Sequence, residues 1–332
     1  MSTLDSALSL SPARRVRGSA RTLQMLKEVV REAAYGVSRN RLRAGLSMLG
    51  ISWGIVSVVM LLAYGNGFQE ALMVGFRNAF GEGVAVIWPG QTSLQAGGQR
   101  AGRRIRLKPE DAALVAQLPV IKMASPEYIT RLPMTYGDRS STYALRGVNV
   151  AYGSMRGERP GKGQGRWLSD EDVAERRRVV FLGYEVARKL FGAQQAVGQT
   201  IRIGNRPFEV VGVMEDKVQM SSYFSPDKYC AFIPWTTMGE LQDTTYVATL
   251  VFQTVNPMQQ DKALRQVRDM LARKYRFEAA DERAININDS VENMATINGI
   301  TTGLKVVLTF IGVLTLAIGG VGIMNIMFVS VT

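Results

Sequence analysis

Hydrophobic and polar positions divide this chain into two apolar runs with a mixed body between them. Ala44 to Tyr64 carries no Asp, Glu, Lys or Arg over 21 residues, and Val306 to Val329 carries none over 24. At about 1.5 Å of rise per residue, these runs predict helices of roughly 31 and 36 Å, enough to cross the hydrocarbon core of a bilayer. The alternative is a pair of buried core helices, but uncharged runs of this length are uncommon in soluble domains. Ahead of the first span, Leu23, Leu26, Val29, Val30, Ala33, Ala34 and Val37 recur at helical intervals with Lys27, Glu28, Arg31 and Glu32 between them. That spacing predicts an amphipathic helix lying in the inner interface within residues 22–43. Residues 1–21 are rich in Ser, Ala and Arg and are expected to be a disordered cytoplasmic N-terminus.

The body, 65–303, reads as mixed α and β. Near its start come a strand at Val84 to Trp88, a flexible loop over 90–102, a helix opened by Pro109 and running to Leu118, and a strand at Val120 to Ala124. A matching β-α-β unit closes the body. It has a strand at Tyr246 to Thr254, a helix capped by Asn256 and running from Pro257 to Tyr275, and a strand at Ile285 to Asn288. Between the units, Tyr143 to Val148, Arg178 to Leu182, Thr200 to Ile203, Pro207 to Val213 and Cys230 to Pro234 favour strands. Gly204 and Asn205 predict a hairpin turn, and Glu185 to Phe191 a short helix ended by Gly192. Gly157 to Gly165 predicts a mobile surface loop. Gly65, Asn66 and Gly67 are expected to loosen the first helix, with Phe68 to Phe80 continuing it. Ser290 is expected to cap a last helix that runs through Met294, Ile297, Thr301 and Leu304 into the second span.

Charge gives these spans a direction. Nine Lys or Arg precede Ala44 against three acids. Basic residues beside the first span stay on the cytoplasmic side, which puts the N-terminus inside, the body outside and Thr332 inside. The net charge of +12 over 332 residues raises nucleic acid as a partner, but no aromatic-interleaved basic stripe supports it. Arg176 to Arg178 read as a solvated strand entry. The first span starts too late, and is too long, for a cleaved signal peptide.

Candidate chemistry is sparse. Cys230 is the one cysteine and there is no histidine, which excludes an internal disulfide, His-based acid–base catalysis and His metal sites. Gly161 to Gly165 fails the phosphate-loop pattern, because its lysine comes early and no Ser or Thr follows. Asp170, Glu171 and Asp172 make a poor metal site on a surface turn, and Asn288 to Ser290 is a weak glycosylation sequon. No catalytic, cofactor or metal residue is therefore assigned. The positions singled out are for membrane-helix packing. Gly50 and Gly54 form a small-residue face, Gly319 and Gly320 allow close approach together with Gly312 and Gly322, and Asn325 is expected to face protein rather than lipid.

Three stretches carry a family resemblance. Arg39 to Gly67 resembles the first membrane helix of MacB-type ABC transporter permeases. Val179 to Lys217 resembles the core of their periplasmic domain, and Leu314 to Thr332 resembles the second membrane helix of the same FtsX-like group. The resemblance covers about residues 22–332. It implies an α+β membrane protein in which two transmembrane helices flank a large extracytoplasmic domain. That domain would have a βαβ-rich, Porter-like subdomain built from both ends of the body and a β-rich, Sabre-like subdomain from its middle.

By the same resemblance the chain is expected to be a permease subunit in a bacterial inner membrane. Its implied partners are a cytoplasmic ABC ATPase, a second permease copy, a periplasmic adaptor and membrane lipid. ATP would be bound by the ATPase and not by this chain. Hydrolysis would move the external domains by mechanotransmission, for export or extraction of a substrate. Two departures stand out: no ATPase precedes the membrane part, and the coupling segment and two further helices of the family are absent. We read the sequence as a fragment. The competing expectation is an FtsX-like scaffold that activates a periplasmic partner such as a cell-wall hydrolase. A membrane-anchored enzyme finds no supporting constellation.

Overall fold

The computed structural model of the protein describes residues 24, 25, 27–31, 35, 41–219 and 222–331. Contacts divide the chain into one unit of residues 1–65 with 304–332 and another of residues 66–303. Residues 24, 25, 27–31 and 35 are helical, and the rest of the stretch before Arg41 lies outside the described residues.

Two long helices hold the apolar runs: α1 (Arg41–Phe80) and, at the far end, α7 (Ser290–Val331). Within them Met48–Phe76 and Ser290–Val321 are long and apolar enough to cross a membrane. Their apolar side chains face outwards, with Trp53 70% and Ile318 73% exposed. A soluble core helix would bury them, so the core-helix alternative fails within this chain. The expected loosening at Gly65 to Gly67 does not occur, and α1 is continuous through them. Each glycine costs about 1 kcal/mol of helix propensity, which the long apolar helix on both sides absorbs.

The body holds ten strands: β1 (Val84–Pro89), β2 (Ile121–Tyr136), β3 (Arg139–Val148), β4 (Pro160–Gly165), β5 (Val179–Leu182), β6 (Thr200–Ile203), β7 (Arg206–Met214), β8 (Cys230–Pro234), β9 (Thr249–Thr254) and β10 (Ile285–Asp289). Its helices are α2 (Glu110–Ala116), α3 (Val150–Arg156), α4 (Asp170–Ala174), α5 (Tyr184–Phe191) and α6 (Gln260–Tyr275). Strand order is β10-β1-β9-β2-β3-β8-β5-β7-β4, with β6 pairing β2 and β7.

The two β-α-β units interleave. β9 lies between β1 and β2, and β1 between β9 and β10, each pair antiparallel. This is a split βαβ arrangement, in which neither unit forms a sheet without the other. One apolar cluster packs α2, α5 and α6 on the sheets through residues such as Val115, Leu190, Val267 and Leu271. A second gathers Val84, Val86, Tyr152, Phe181 and Phe232 on the other side, where α3 packs.

Three elements differ from expectation. β2 runs 16 residues, far beyond Ala124. Pro126 and Pro133 break the sequence signal, because proline cannot donate to a ladder. In the sheet they are tolerated at register positions opposite Leu250 and Thr142. The expected mobile loop at Gly157 to Gly165 contains β4, which pairs with β7 through Pro160↔Met214 and Gly165↔Gly212 around a bulge. Gly165 serves close packing: a Cβ there, at φ +78°, would lie 2.1 Å from Val211 O. Finally, Ser290 does not cap α7. Asp289 Oδ1 accepts from Val291 N at 2.9 Å, while Ser290 Oγ accepts from Val84 N at 3.0 Å.

These packings make a contrast between two glycines of β4. Gly163, at φ +70°, has nothing within 4 Å of an added Cβ, so Gly163→Ala is expected to cost only the left-handed strain of about 1–2 kcal/mol. Gly165→Ala adds the backbone clash and is expected to lower the melting temperature clearly further. Equal melting temperatures for the two variants would return the segment to a loop.

Candidate functional site

The packing glycines lie in the unit that contains both apolar spans. A Cβ on Gly54 would stand 3.2 Å from Leu316 Cδ2, and one on Gly312 3.1 Å from Val58 Cγ2. Gly319 lies 3.8 Å from Gly50 O by the same construction, and Gly65 3.3 Å from Leu308 Cδ1. Added Cβ atoms on Gly50 and Gly320 meet nothing within 4 Å. Gly54, Gly65, Gly312 and Gly319 thus mark where α1 and α7 approach, and Gly320 does not. Asn325 belongs to α7, but its side chain lies outside the described residues.

In the body, the densest polar constellation sits where β2 changes partners. Glu127 is the last β2 residue in register with β9, opposite Thr249, and Tyr128 is the first in register with β3, opposite Gly147. Glu127 and Arg146 are fully buried. Glu127 Oε1 accepts from Arg146 Nη1 at 2.8 Å and Tyr152 OH at 3.1 Å, and Oε2 from Thr249 Oγ1 at 2.6 Å. Tyr223 OH donates to the same carboxylate at 2.7 Å. Arg146 also reaches Ser225 O at 3.0 Å.

Local structure aims these groups. Asn149 caps α3, accepting from Tyr152 N at 3.2 Å and donating to Ala124 O at 2.9 Å, which seats Tyr152 over the strand step. Gly157 ends α3 in the left-handed region, so Arg156 and Glu158 both turn inwards. The 215–229 segment then closes the cluster. Asp227 takes Arg156 Nη2 at 3.1 Å and Lys217 Nζ at 3.3 Å, and Lys217 reaches Glu158 at 2.8 Å. The Tyr223 ring meets the guanidinium groups of Arg146, 4.7 Å from its centroid, and Arg156, 4.9 Å away. Trp88 meets it edge-on at 5.9 Å.

Burial works against ionisation at Glu158 and Asp227. At Asp227 it is outweighed by Arg156, Lys217 and Arg146, which hold the carboxyl well below its usual range. At Glu158 burial and the neighbouring Asp227 win over Lys217, and the group is pushed up to about 8. Burial also pushes the Cys230 thiol up to about 11, so it is no nucleophile at neutral pH. Three cations and three carboxyl groups closed off from solvent tie β2, β3, α3 and the chain around Lys217 and Asp227 together.

None of Glu127, Arg146, Tyr152, Arg156, Glu158, Lys217, Tyr223 or Asp227 was selected by sequence reasoning. The available signal was a charge inside an apolar strand run, as with Arg146 in β3. The acidic triplet that was weighed is the first turn of α4. Ser169 and Asp172 form a reciprocal capping box, and Asp172 accepts from Arg166 at 2.6 Å. In the arginine run, Arg177 pairs with Glu175 at 2.8 Å and Arg178 with Glu240 at 2.8 Å. A cavity of about 720 Å³ opens between β4, α5 and the 192–196 loop and is lined by Gln164, Tyr184, Gln194 and Asp216.

Glu158 predicts a pH dependence. Its folded pKa is raised, so the folded state holds a proton that the unfolded chain has released. Stability is therefore full below the ordinary carboxyl range and falls as pH rises towards about 8. Between about pH 5 and pH 8, Glu158→Gln is expected to lose less melting temperature than the native protein, by on the order of 5 °C. Parallel melting curves for the two proteins would show that Glu158 titrates normally.

The family described as MacB-like periplasmic core domain matches residues 44–270. The macrolide export ATP-binding/permease protein MacB of Bdellovibrio bacteriovorus is 29% identical over 298 residues, which cover 89% of this chain and 45% of that protein. MacB 1/2 of Paracoccus denitrificans is 30% identical over 311 residues, 93% of this chain and 45% of that protein. The chain therefore spans less than half the length of these relatives. Among solved structures, the periplasmic region of MacB from Actinobacillus actinomycetemcomitans aligns at a TM-score of 0.52 and 21% identity, over 68% of this chain and 97% of that one. The extracellular domain of the noncanonical ABC-type transporter YknZ from Gram-positive bacteria aligns at 0.51 and 16%, over 62% of this chain and 99% of that one. At these identities the likeness is one of fold, and it spans nearly all of each compared domain. With a family match over more than half its length, the chain belongs to the family of the MacB-like periplasmic core domain.

Proposed function

We propose that this chain is the membrane-anchored, substrate-side portion of an ABC transporter permease. Its external domain is moved by ATP hydrolysis on a cytoplasmic ATPase. The observation that carries this reading is the arrangement along the chain: two lipid-compatible helices bracket a body with the fold of the MacB periplasmic region. The relatives' printed name joins ATP binding to a permease in macrolide export, which supports the same class for this chain. The basic stretch before Ala44 favours a cytoplasmic N-terminus and an external body. Close approach at Gly54 and Gly312 supports packing of the two spans within one permease copy. A second copy and a periplasmic adaptor complete the assembly in this reading.

Topology has a direct test. Cys230 is fully buried, so labelling of the native chain starts from a low background. Asp138→Cys places a thiol at the exposed turn between β2 and β3. In intact cells with a permeable outer envelope, a membrane-impermeant maleimide is expected to label this variant. Labelling only after the inner membrane is broken would reverse the assignment.

Coupling is tested separately. The intact gene product, extracted in mild detergent, is expected to co-purify with an ABC ATPase domain and to show ATP hydrolysis. Recovery without any ATP-binding partner or domain would remove the transporter reading while leaving the topology in place.

A further inference from the structure

About half the arginines on the β-rich part of the body have a carboxylate beside them, as Arg166, Arg177, Arg178 and Arg188 do, and the others are spread along its sequence. The segment after β1 is different. Residues 99–108 contain Arg100, Arg103, Arg104, Arg106 and Lys108 and no acid. The sequence suggests a flexible loop here, yet the structure pins it at several points. Thr92 N donates to Arg103 O and Ile105 N to Gly90 O, each at 2.9 Å, which adds a strand-like layer beside the end of β1. Asp281 accepts from the amides of Ser93 at 2.6 Å and Leu94 at 3.0 Å. Arg103 is used internally, donating to Tyr275 O and Arg276 O at the end of α6.

The pinned backbone sets out a row of cations. Ile105 and Leu107 are buried, while Arg104, Arg106 and Lys108 alternate with them and are exposed. At strand spacing, successive members of such a row stand about 7 Å apart. Arg104 forms a bridge with Gln91, and Gln91 N donates to Arg283 O at 2.9 Å on its other side. Arg283 therefore extends the row sideways, two chain segments or about 10 Å from Arg104. Arg106 is held extended over the Tyr246 ring, 5.0 Å from its centroid. Lys108 has only Glu110, at 3.9 Å and with both groups about half exposed, a contact of little energy. Among the described residues, Arg104, Arg106 and Arg283 have no carboxylate within 4.0 Å.

We propose that this strip is a docking surface for an extended acidic segment of a partner protein. Guanidinium groups bind carboxylates in a planar, two-pronged geometry that lysine cannot reproduce. An extended peptide with acids at alternate positions repeats at the same spacing of about 7 Å as Arg104, Arg106 and Lys108. A fluid layer of anionic headgroups needs no such fixed spacing and would be met equally well by a disordered basic tail. The register-locked row therefore favours a structured polypeptide over a lipid surface.

The test uses the full chain in detergent micelles and a fluorescent peptide of alternating Glu and Thr. The strip variant R104Q/R106Q/R283Q is compared with K189Q/R202Q/R206Q, which removes the same charge from exposed positions on the β-rich part. At about 0.15 M salt, the strip variant is expected to bind on the order of tenfold more weakly, and the control to bind nearly as well as the native chain. Equal weakening in both variants would reduce the attraction to net charge and overturn the proposal. Failure of the native chain to bind the peptide would overturn it as well. So would strip-dependent capture of anionic phospholipid vesicles by a chain that ignores the peptide. The charge-reversed R104E/R283E protein provides a check independent of folding losses. It is expected to lose the Glu–Thr peptide and gain a Lys–Thr peptide, and failure of that exchange would count against the strip.

Discussion

The body of this protein depends on how a buried carboxylate is neutralised at one strand step. β2 serves two sheets, and the change of partner falls between Glu127 and Tyr128. A carboxylate sealed from water at that step is costly unless it is matched and hydrogen-bonded. Arg146 from β3, Thr249 from β9, Tyr152 from α3 and Tyr223 from the 215–229 segment all converge on it. Aliphatic side chains of the same volume would stabilise a core at least as well. What the ion pair adds is direction, since its bonds are satisfied by one mutual placement of four chain segments. The second half of the cluster, around Asp227, fastens the same segment through Arg156 and Lys217.

The split βαβ sheet takes its strands from the two ends of the body, while the β-rich part is a single insertion between β2 and β9. One strand passing through both parts makes them a continuous path of nine strands, with β6 beside it, rather than beads on a linker. Among the described residues, many apolar side chains of α1 and α7 stay exposed, over stretches long enough to cross a membrane.

Legibility in the sequence followed the strength of local signals. The two spans could be read because uncharged runs of their length have few other physical explanations. β6 and β8 were found at their observed bounds, since β-branched and aromatic residues there meet no competing breaker. β2 was cut short because Pro126 and Pro133 punctuate it, and only long-range pairing shows that both prolines occupy tolerated positions. β4 was hidden because its glycines look like slack, although Gly165 is where two backbones touch. The cap on α7 was displaced by one residue, from Ser290 to Asp289, because Ser290 is taken by Val84. The ion cluster was invisible for a deeper reason. Glu127, Arg146, Arg156 and Asp227 are scattered over a hundred residues, and nothing local shows that charges so far apart will share one dry pocket.

The interleaved order of β10, β1, β9 and β2 has a consequence for biogenesis. β1 leaves the ribosome early, but both of its neighbours come from the last quarter of the body. At roughly 5–20 residues per second, synthesis leaves that first strand with two open edges for about ten seconds or more. The inserted β-rich part, whose strands from β3 to β8 are contiguous in the chain, can close in the meantime. Nascent protein thus emerges with its middle settled and its founding strand still waiting. Any holding factor that attends such chains should engage them at Val84 to Pro89 until Asp289 has emerged.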